Sequence, residues 1–285
     1  MINSSTQIEQ KISEIDQILE SMGITVYKKS VNAFEKEMAK ANGRAFLKLN
    51  AERQRGIGFG NQNIYKAKNI NAAVAKLVCR VFDYRRIRDL ATYFHQDFSG
   101  AVQDKPIVEL GCDCGFLLCL LAKQYPECHF LGIDPCSEGI AIAEEIARNL
   151  GLNNIKFINS TAQNWLRKQE AESVSAIMSY FLWHELIDDN NFQESWNEVL
   201  LAYRDVFRII IQGGQFITLD RVDVDMVEMH INNFKDIGFH LEENRNHTIT
   251  RRNKKFPLLA FDKPRRTHGI FCRPLSQDSL ITADL

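Results

Sequence analysis

The sequence predicts an α/β protein: a doubly wound, mostly parallel sheet that follows an N-terminal helical region. From Pro106 onward, short runs rich in Ile, Val and Leu alternate with amphipathic stretches, which is the pattern of parallel strands joined by helical crossovers. The first hundred residues instead repeat apolar side chains at helical spacing. We therefore expect a helical region at residues 1–100, a sheet-forming core at residues 101–275 and a tail at residues 276–285.

Composition limits the class of protein. The chain has 285 residues, of which 45% are hydrophobic and 25% charged, as in an ordinary globular protein. No apolar run reaches the length of about 18 residues that a membrane span needs, and the N-terminus lacks the pattern of a secretory signal. The seven cysteines are an odd number and are expected to be reduced thiols. These features predict a cytoplasmic protein that does not bind membranes.

Several helices are predicted in the N-terminal region. Residues 8–22 carry apolar side chains at helical spacing, and Gly23 is placed to end this helix. A second helix is predicted over Val31–Gln54, with Gly43 as its weak point, and the helical pattern resumes over residues 70–94. Such helices cannot bury all their apolar faces alone. We expect them to pack on a larger body and to cover a cleft as a lid.

The core is predicted to contain seven strands. The five that alternate with helices cover residues 107–110, 129–134, 155–158, 175–179 and 215–219. The predicted helices between them cover residues 116–124, 138–150 and 192–209. Two further strands, residues 240–251 and 256–261, flank a turn, and we expect them to pair as an antiparallel C-terminal hairpin at the sheet edge.

The turn after the first predicted strand carries a binding motif. Gly111 and Gly115 lie between strand and helix, where glycine lets the backbone come close to a ligand at the carboxyl edge of the sheet. Asp134 ends the next strand, 23 residues after Gly111, near the offset of about 20 residues at which an acid meets ribose hydroxyls in dinucleotide folds. An ionised carboxylate only accepts hydrogen bonds and can take both ribose donors. The glycine spacing departs from Gly-x-Gly-x-x-Gly, which disfavours a nicotinamide or flavin enzyme.

At these residues the sequence resembles the class I S-adenosylmethionine-dependent methyltransferases. The stretch from Glu109 through Gly111 to Gly115 resembles the first motif of that family, whose glycines pack under the methionine moiety. Asp113 stands where the usual motif has its middle glycine. The resemblance covers roughly residues 106–264 and implies a Rossmann-like fold with S-adenosyl-L-methionine as the cofactor.

The resemblance implies further cofactor contacts. Asp134 would hold the ribose and Pro135 would border the adenine. Other contacts are expected after the third strand, near the adenine amine, and after the fourth strand, at the floor of the pocket. These residues are Ala162, Gln163, Ser179, Tyr180 and Phe181.

His184 and Glu185 are the predicted catalytic residues. They lie just beyond the fourth strand, in a stretch that resembles small-molecule O-methyltransferases in which a histidine followed by an acid serves as general base. An alcohol or phenol acceptor gains by losing its proton, and the usual histidine pKa near 6.5 suits that role. We interpret His184 as the base and Glu185 as its electrostatic neighbour; a packing role for His184 is the alternative.

The cysteines do not indicate a metal site. Five of them fall within the 25 residues from Cys112 to Cys136, but no two have the Cys-x-x-Cys spacing of a zinc site. We therefore expect no bound metal.

Charge is unevenly distributed along the chain. The net charge is −1, yet Arg44–Arg88 carries eleven basic residues against two acids, and Arg245–Arg273 carries nine against one. A focused positive field raises the local concentration of anionic ligands. An acceptor with a carboxylate or phosphate, on itself or on a carrier, is therefore predicted, with Arg85, Arg86 and Arg88 as contacts. Solvated helix faces are the alternative.

The sequence thus predicts a methyltransferase that acts on a small or medium-sized metabolite, with oxygen as the expected acceptor atom, in a role such as natural product biosynthesis. Two alternatives stay open. One is a methyltransferase that binds RNA, or a peptide or carrier-bound substrate, through the basic segments, although a nucleic-acid partner is disfavoured because no RNA-binding module is recognisable. The other is a non-catalytic cofactor-binding protein, which only Asp113 favours. The oligomeric state is left open, with a homodimer as one option.

Overall fold

The computed structural model describes residues 4–55, 63–93, 105–220, 224–241, 247–251, 254–262 and 280–281. The chain forms two compact units. The first comprises Met1–Gln103 and Cys112–Ser160, and the second comprises Asp104–Gly111 and Thr161–Leu285. The division predicted at residues 100 and 275, and the lid role of residues 1–100, stay predictions.

The order of elements follows the prediction: helices first, then strands alternating with helices. The helices are α1 (Ser4–Ser21), α2 (Val31–Lys40), α3 (Arg44–Gln54), α4 (Asn63–Lys68), α5 (Ala72–Val78), α6 (Tyr84–Tyr93), α7 (Phe116–Gln124), α8 (Ser137–Asn149), α9 (Ala162–Lys168), α10 (Trp183–Leu186), α11 (Phe192–Ile209) and α12 (Val224–Ile237). The strands are β1 (Ile107–Leu110), β2 (Phe130–Asp134), β3 (Ile155–Asn159), β4 (Val174–Tyr180), β5 (Ile210–Leu219), β6 (His240–Leu241), β7 (His247–Arg251), β8 (Lys254–Asp262) and β9 (Leu280–Ile281). Within the described ranges, none of these helices combines the length and the apolarity that crossing a bilayer requires.

A break at Gly43 divides the predicted second helix into α2 and α3. A Cβ at this position would lie 2.5 Å from Cε of Met38 and 3.1 Å from its backbone oxygen, so a larger residue would collide with the end of α2. The break lets both helices face one buried cluster, to which they contribute Phe34, Met38 and Phe46. The helical region therefore has a hydrophobic cluster of its own.

A side-chain cap fixes the start of α5 to the end of α2. Asn71 Oδ1 accepts the backbone N–H of Val74 at 3.0 Å, which satisfies a donor that has no partner inside the helix. Asn71 Nδ2 donates to the carbonyl of Ala41 at 2.9 Å. A π-helical turn, Cys79–Asp83, then leads from α5 into α6.

α7 is the most deeply buried helix segment of the first unit. Residues 116–122 are all buried, since α1, α6 and α8 pack around them. The helix begins at Gly115, whose φ of +67° lies in the left-handed region. A Cβ there would come within 2.8 Å of Ala143 Cβ in α8. Beside this helix pair, β2 and β3 pair in parallel along their length.

The second unit holds the other three parallel strands and an aromatic core. β1 pairs in parallel with β4, and β4 pairs in parallel with β5. Trp183 of α10 contacts Tyr203 of α11 and Phe216 of β5 edge-on. Phe234 of α12 contacts the same two rings. These buried rings hold α10, α11 and α12 against the sheet.

The prediction of an α/β fold with parallel strands is confirmed. The prediction that the sheet has seven strands and ends in one C-terminal hairpin is wrong. The parallel part consists of the five strands β1 to β5, and four further strands follow them among the described residues. β8 pairs antiparallel with β5, and β6 and β7 each pair antiparallel with β8. β9, in the predicted tail, pairs in parallel with β7. β6 and β7 both lie within the strand predicted at residues 240–251, whereas β9, a strand of two residues, carries no readable period-2 pattern and was not predicted.

Asn154 fixes the loop between α7 and β2. Its side-chain amide donates to the carbonyls of Ala122 at 3.0 Å, Tyr125 at 3.1 Å and Cys128 at 3.0 Å. The backbone carbonyl of Asn154 accepts the N–H of Phe130, the first residue of β2, at 2.8 Å. The buried side chain therefore binds carbonyls at and after the end of α7, and the backbone of the same residue holds the start of β2.

Asn154→Ala is expected to lower the free energy of unfolding by about 2–3 kcal/mol, because buried carbonyls lose their donor. Chemical denaturation followed by circular dichroism measures the change. The exposed neighbour provides the control: Asn153→Ala is expected to change stability by less than about 0.5 kcal/mol. Equal stability of the two variants would contradict this role.

Candidate functional site

Asp134 lies at the end of β2 and is held by backbone donors. Its Oδ2 accepts the N–H of Asp113 and its Oδ1 accepts the N–H of Cys136, both at 2.8 Å. The residue is only 9% exposed. Burial, followed by the negative charge of Asp113, raises the pKa of Asp134 to about 6, against the lowering effect of the two backbone hydrogen bonds and of Lys68. The ionised carboxylate is therefore incompletely compensated within the protein and has capacity for further donors.

The turn before α7 has an unusual backbone. Asp113 has a φ of +53°, a left-handed conformation that residues other than glycine seldom adopt. Gly115 adopts the same region without strain. Gly111, which belongs to the second unit, has a φ of +75°, and a Cβ there would lie 3.2 Å from Leu182 Cδ1. Both motif glycines thus stand where a side chain would be strained.

Two residues that the sequence did not single out hold the Asp113 carboxylate. Lys68 Nζ lies 2.5 Å from Oδ2 and Asn69 Nδ2 lies 2.6 Å from Oδ1. Lys68 also pairs with Asp83 at 3.4 Å, and Asp83 pairs with Arg86 at 2.8 Å. Burial alone would lower the pKa of Lys68, but the carboxylates of Asp113 and Asp83 raise it well above its usual range. Lys68 is therefore a cation with two acidic partners.

In the second unit, His184 lies between two carboxylates. Asp220 follows β5; its Oδ2 accepts the backbone N–H of Trp183 at 2.7 Å and that of His184 at 3.2 Å, and its Oδ1 binds His184 Nδ1. On the other side of the ring, Nε2 lies 3.0 Å from Glu185 Oε1. Burial by itself would lower the pKa of His184, but Asp220 and Glu185 together raise it above its ordinary value. The two carboxylates thus favour the protonated form of the imidazole against the effect of burial.

The predicted pocket-floor residues occupy different environments. Ser179 is fully buried; its hydroxyl donates to Thr218 Oγ1 at 3.0 Å and accepts Trp183 Nε1–H at 2.8 Å. Tyr180, the last residue of β4, is half-buried. Phe181 has a φ of +55°, and its ring meets the His184 ring edge-on at 6.3 Å. Phe181 therefore packs against His184, whereas the Ser179 side chain binds other protein groups.

The remaining predicted cofactor residues lie at strand and helix ends. Glu109 is buried within β1, and Pro135 is exposed directly after β2. Ala162 is buried and Gln163 is half-buried in the first turn of α9. That helix begins at Thr161, whose hydroxyl accepts the N–H of Asn164 at 3.2 Å. What these residues bind stays a prediction.

Comparison with known families decides the class of protein. A family model described as a methyltransferase domain matches residues 101–258, more than half of the chain. The chain belongs to this family. The predicted class I S-adenosylmethionine-dependent methyltransferase is thereby confirmed at the level of family, and S-adenosylmethionine is the cofactor of that class.

Curated relatives match only part of this methyltransferase domain. A tRNA (guanine-N(7)-)-methyltransferase of Acinetobacter baylyi is 35% identical over 74 residues, which are 26% of this chain and 30% of the relative. A release factor glutamine methyltransferase of Buchnera aphidicola subsp. Baizongia pistaciae is 37% identical over 54 residues, 19% of this chain and 20% of the relative. The chain therefore spans less than a third of the length of these two relatives.

Solved structures share the fold at low sequence identity. The N-methyltransferase NodS from Bradyrhizobium japonicum WM9, in complex with S-adenosyl-L-homocysteine, has a TM-score of 0.55 and 18% identity; the match covers 73% of this chain and 100% of that one. An O-methyltransferase family protein from Burkholderia thailandensis has a TM-score of 0.50 and 12% identity, with 73% and 61% covered. These likenesses support the methyltransferase fold and leave the acceptor open.

Two of the three arginines predicted to bind an anion, Arg86 and Arg88, form ion pairs within the first unit of this methyltransferase. Arg86 pairs with Asp83. Arg88 lies 3.9 Å from Asp16 and 3.8 Å from Asp89. Only the contact of Arg88 with Asp16 links two helices, α6 and α1; the other two pairs are local. Most of the second basic segment, 245–273, lies outside the described residues.

The cysteines near the turn are buried thiols. Cys112 and Cys114 are free and buried. Burial, followed by the charge of Asp113, raises the pKa of Cys114 well above its usual value, so this thiol stays protonated. In the part of the chain that the structure describes, no three His, Cys, Asp or Glu side chains are grouped to hold a metal ion. The expectation of no metal stays a prediction.

Asp220→Asn is expected to lower the pKa of His184, because the charge that opposes the effect of burial is removed. An NMR titration of the ring signals, assigned with His184→Gln, measures it. Asp188→Asn, which removes an exposed carboxylate, is the control and should leave the titration midpoint unchanged. The same midpoint in wild type and Asp220→Asn would show that Asp220 does not set the charge state of His184.

Proposed function

We propose that this methyltransferase transfers a methyl group to an oxygen atom of a small or medium-sized metabolite, such as an intermediate of natural product biosynthesis. The observation that carries the choice of acceptor is His184 held between Asp220 and Glu185. Such a group can take the proton that an alcohol or phenol loses when it is methylated.

The residues of the first unit fit the ribose of S-adenosylmethionine. Each Asp134 oxygen takes one backbone N–H, and an ionised carboxylate oxygen can accept more than one donor. Two ribose hydroxyls would supply donors to a carboxylate whose pKa of about 6 indicates incomplete compensation. Asp134 is therefore proposed to bind the ribose, and Pro135 to border the adenine.

Further cofactor contacts are proposed from the family motif. The backbones at Gly111 and Gly115 would pack under the methionine moiety. The other proposed contacts are Glu109, Ala162, Gln163, Ser179, Tyr180 and Phe181.

S-adenosylmethionine, when bound, would supply a methyl group on a positively charged sulfur, and that sulfur would keep the electron pair of the broken bond as the acceptor oxygen forms the new one. The chain then has two tasks. One is to align the acceptor oxygen in line with that bond, which can account for much of the acceleration. The other is to take the acceptor proton at His184 Nε2 or Glu185 Oε1, which act as one coupled pair. Because the two carboxylates raise the pKa of His184, the reaction should speed up as pH rises through that value.

Methylation of RNA is the second candidate. The curated relatives named above include a tRNA methyltransferase, and the segment Arg44–Arg88 is strongly basic. Against it, Lys68, Arg86 and Arg88 of that segment form ion pairs with acids of the protein. The hypothesis that the acceptor is an anionic or carrier-bound metabolite depends on the same basic segments, and the same ion pairs argue against it.

Affinity for S-adenosylhomocysteine is expected to fall as pH drops through about 6, because Asp134 is ionised above its pKa and protonated below it. Asp134→Asn should bind about ten-fold more weakly at neutral pH and lose this pH dependence. Titration calorimetry at several pH values measures both. Asp236→Asn, which removes an exposed carboxylate of α12, is the control. The proposed function would be contradicted if the wild type showed no binding at high micromolar ligand.

The acceptor class is tested with S-adenosylmethionine that carries a labelled methyl group, incubated with cell extract. We expect label in small molecules that gain 14 daltons, and about a hundred-fold slower labelling by His184→Gln with unchanged cofactor affinity. Label confined to RNA or protein would replace the metabolite by a macromolecular acceptor. Cofactor binding without labelled product in any fraction would favour the non-catalytic alternative.

A further inference from the structure

The residue that departs from the family motif is also the one that contacts the predicted ribose carboxylate. Asp113 replaces the middle glycine yet keeps a positive φ of +53°. Aspartate reaches this region more readily than most residues, but the conformation persists only where surrounding structure holds it. The neighbours of its side chain are therefore decisive for the turn.

Those neighbours come from the helical region. Lys68, the last residue of α4, and Asn69, which follows it, bind the two carboxylate oxygens of Asp113 at 2.5 and 2.6 Å. The side chain of Lys68 is only 13% exposed and that of Asp113 26%. Hydrogen bonds between charged groups are roughly twice as strong as neutral ones, and partial burial limits screening by water. The pair thus fixes the Asp113 side chain on the end of α4.

A glycine in α8 makes room for this contact. Asn69 is 1% exposed. A Cβ at Gly139 would lie 2.9 Å from Asn69 Nδ2 and 3.0 Å from the backbone oxygen of Asp113. The close approach of α8, Asn69 and the turn therefore depends on a residue without a side chain.

The turn that contains Asp113, once fixed, orients the Asp134 side chain. The backbone N–H of Asp113 donates to Oδ2 of Asp134 at 2.8 Å, while Cys136 N–H holds the other oxygen. If the Asp113 side chain were released, its φ could leave the left-handed region and its N–H would turn away. Asp134 would then keep only one of its two backbone donors.

We propose that Lys68 and Asn69 are positioning residues of the ribose site: by holding the Asp113 carboxylate they aim its backbone N–H at Asp134, which binds the ribose hydroxyls. This inference rests on the proposed function, because it assumes that Asp134 meets the cofactor. It adds that residues of the helical region determine cofactor recognition, in place of the glycine that the motif usually carries.

The test compares S-adenosylhomocysteine with its 2′-deoxy analogue by calorimetry. Wild type should prefer the ligand with the hydroxyl. Lys68→Met is expected to bind S-adenosylhomocysteine about ten-fold more weakly while its affinity for the analogue changes little, so the preference for the hydroxyl narrows by about that factor. Lys66→Met, on the exposed face of the same helix, should behave as wild type.

The pH profile gives a second readout, since Asp113, Lys68 and the Cys136 thiol are the charged and titratable groups that act on Asp134 or face it. Lys68→Met should move the midpoint of binding to higher pH because a stabilising positive charge is lost. Asp113→Asn should move it to lower pH because a negative charge is lost. A general structural defect would not shift the two midpoints in opposite directions.

The outcomes separate the two hypotheses. The proposed function is overturned if the wild type does not bind S-adenosylhomocysteine, or if Asp134→Asn keeps the preference for the ligand with the hydroxyl. With those intact, the inference is overturned if Lys68→Met keeps the preference or loses affinity for both ligands by the same factor. If Lys68→Met does not fold cooperatively, Asp113→Asn, which has the same size, takes its place and must narrow the preference for the inference to hold.

Discussion

The ion pair between Lys68 and Asp113 is the constraint on which the first unit depends. Removing an ammonium group from water lowers the stability of the fold by several kcal/mol unless acidic groups lie beside it. Here Asp83 and Asp113 both lie beside Lys68. Because these acids come from the turn before α6 and from the turn before α7, one lysine joins the helical region to the strand-turn-helix motif. The same pair keeps Asp113 in a glycine-like conformation and so determines where its N–H points.

The second unit has a similar arrangement. There the ring of His184 is the basic group, and Asp220 and Glu185 are its acidic neighbours. Asp220 is itself fixed by the N–H groups of Trp183 and His184, as Asp134 is fixed by two N–H groups in the first unit. In both places backbone donors orient a buried carboxylate, and a neighbouring charge adjusts its chemistry.

The sequence predicted best what is local. The bounds of β1, α7 and α11 match the prediction because apolar runs lie between clear turn signals, and the positive φ values at the motif glycines follow from the residue type. The pairing of Lys68 with a residue 45 positions later carries no local signal, so it was missed. Asp220 was within reach of prediction, since it directly follows a strand at the edge where ligands bind.

Thermodynamic linkage offers the most direct measurement. If Lys68 orients Asp134 through Asp113, a ligand on Asp134 must stabilise the Lys68–Asp113 contact in return. Hydrogen exchange of the amides of α4, read with and without saturating S-adenosylhomocysteine, measures this coupling. We predict slower exchange in α4 with ligand in the wild type and no slowing in Asp113→Asn. The account would be contradicted if, in the wild type, the ligand protected β2 from exchange but left the exchange rates of α4 unchanged.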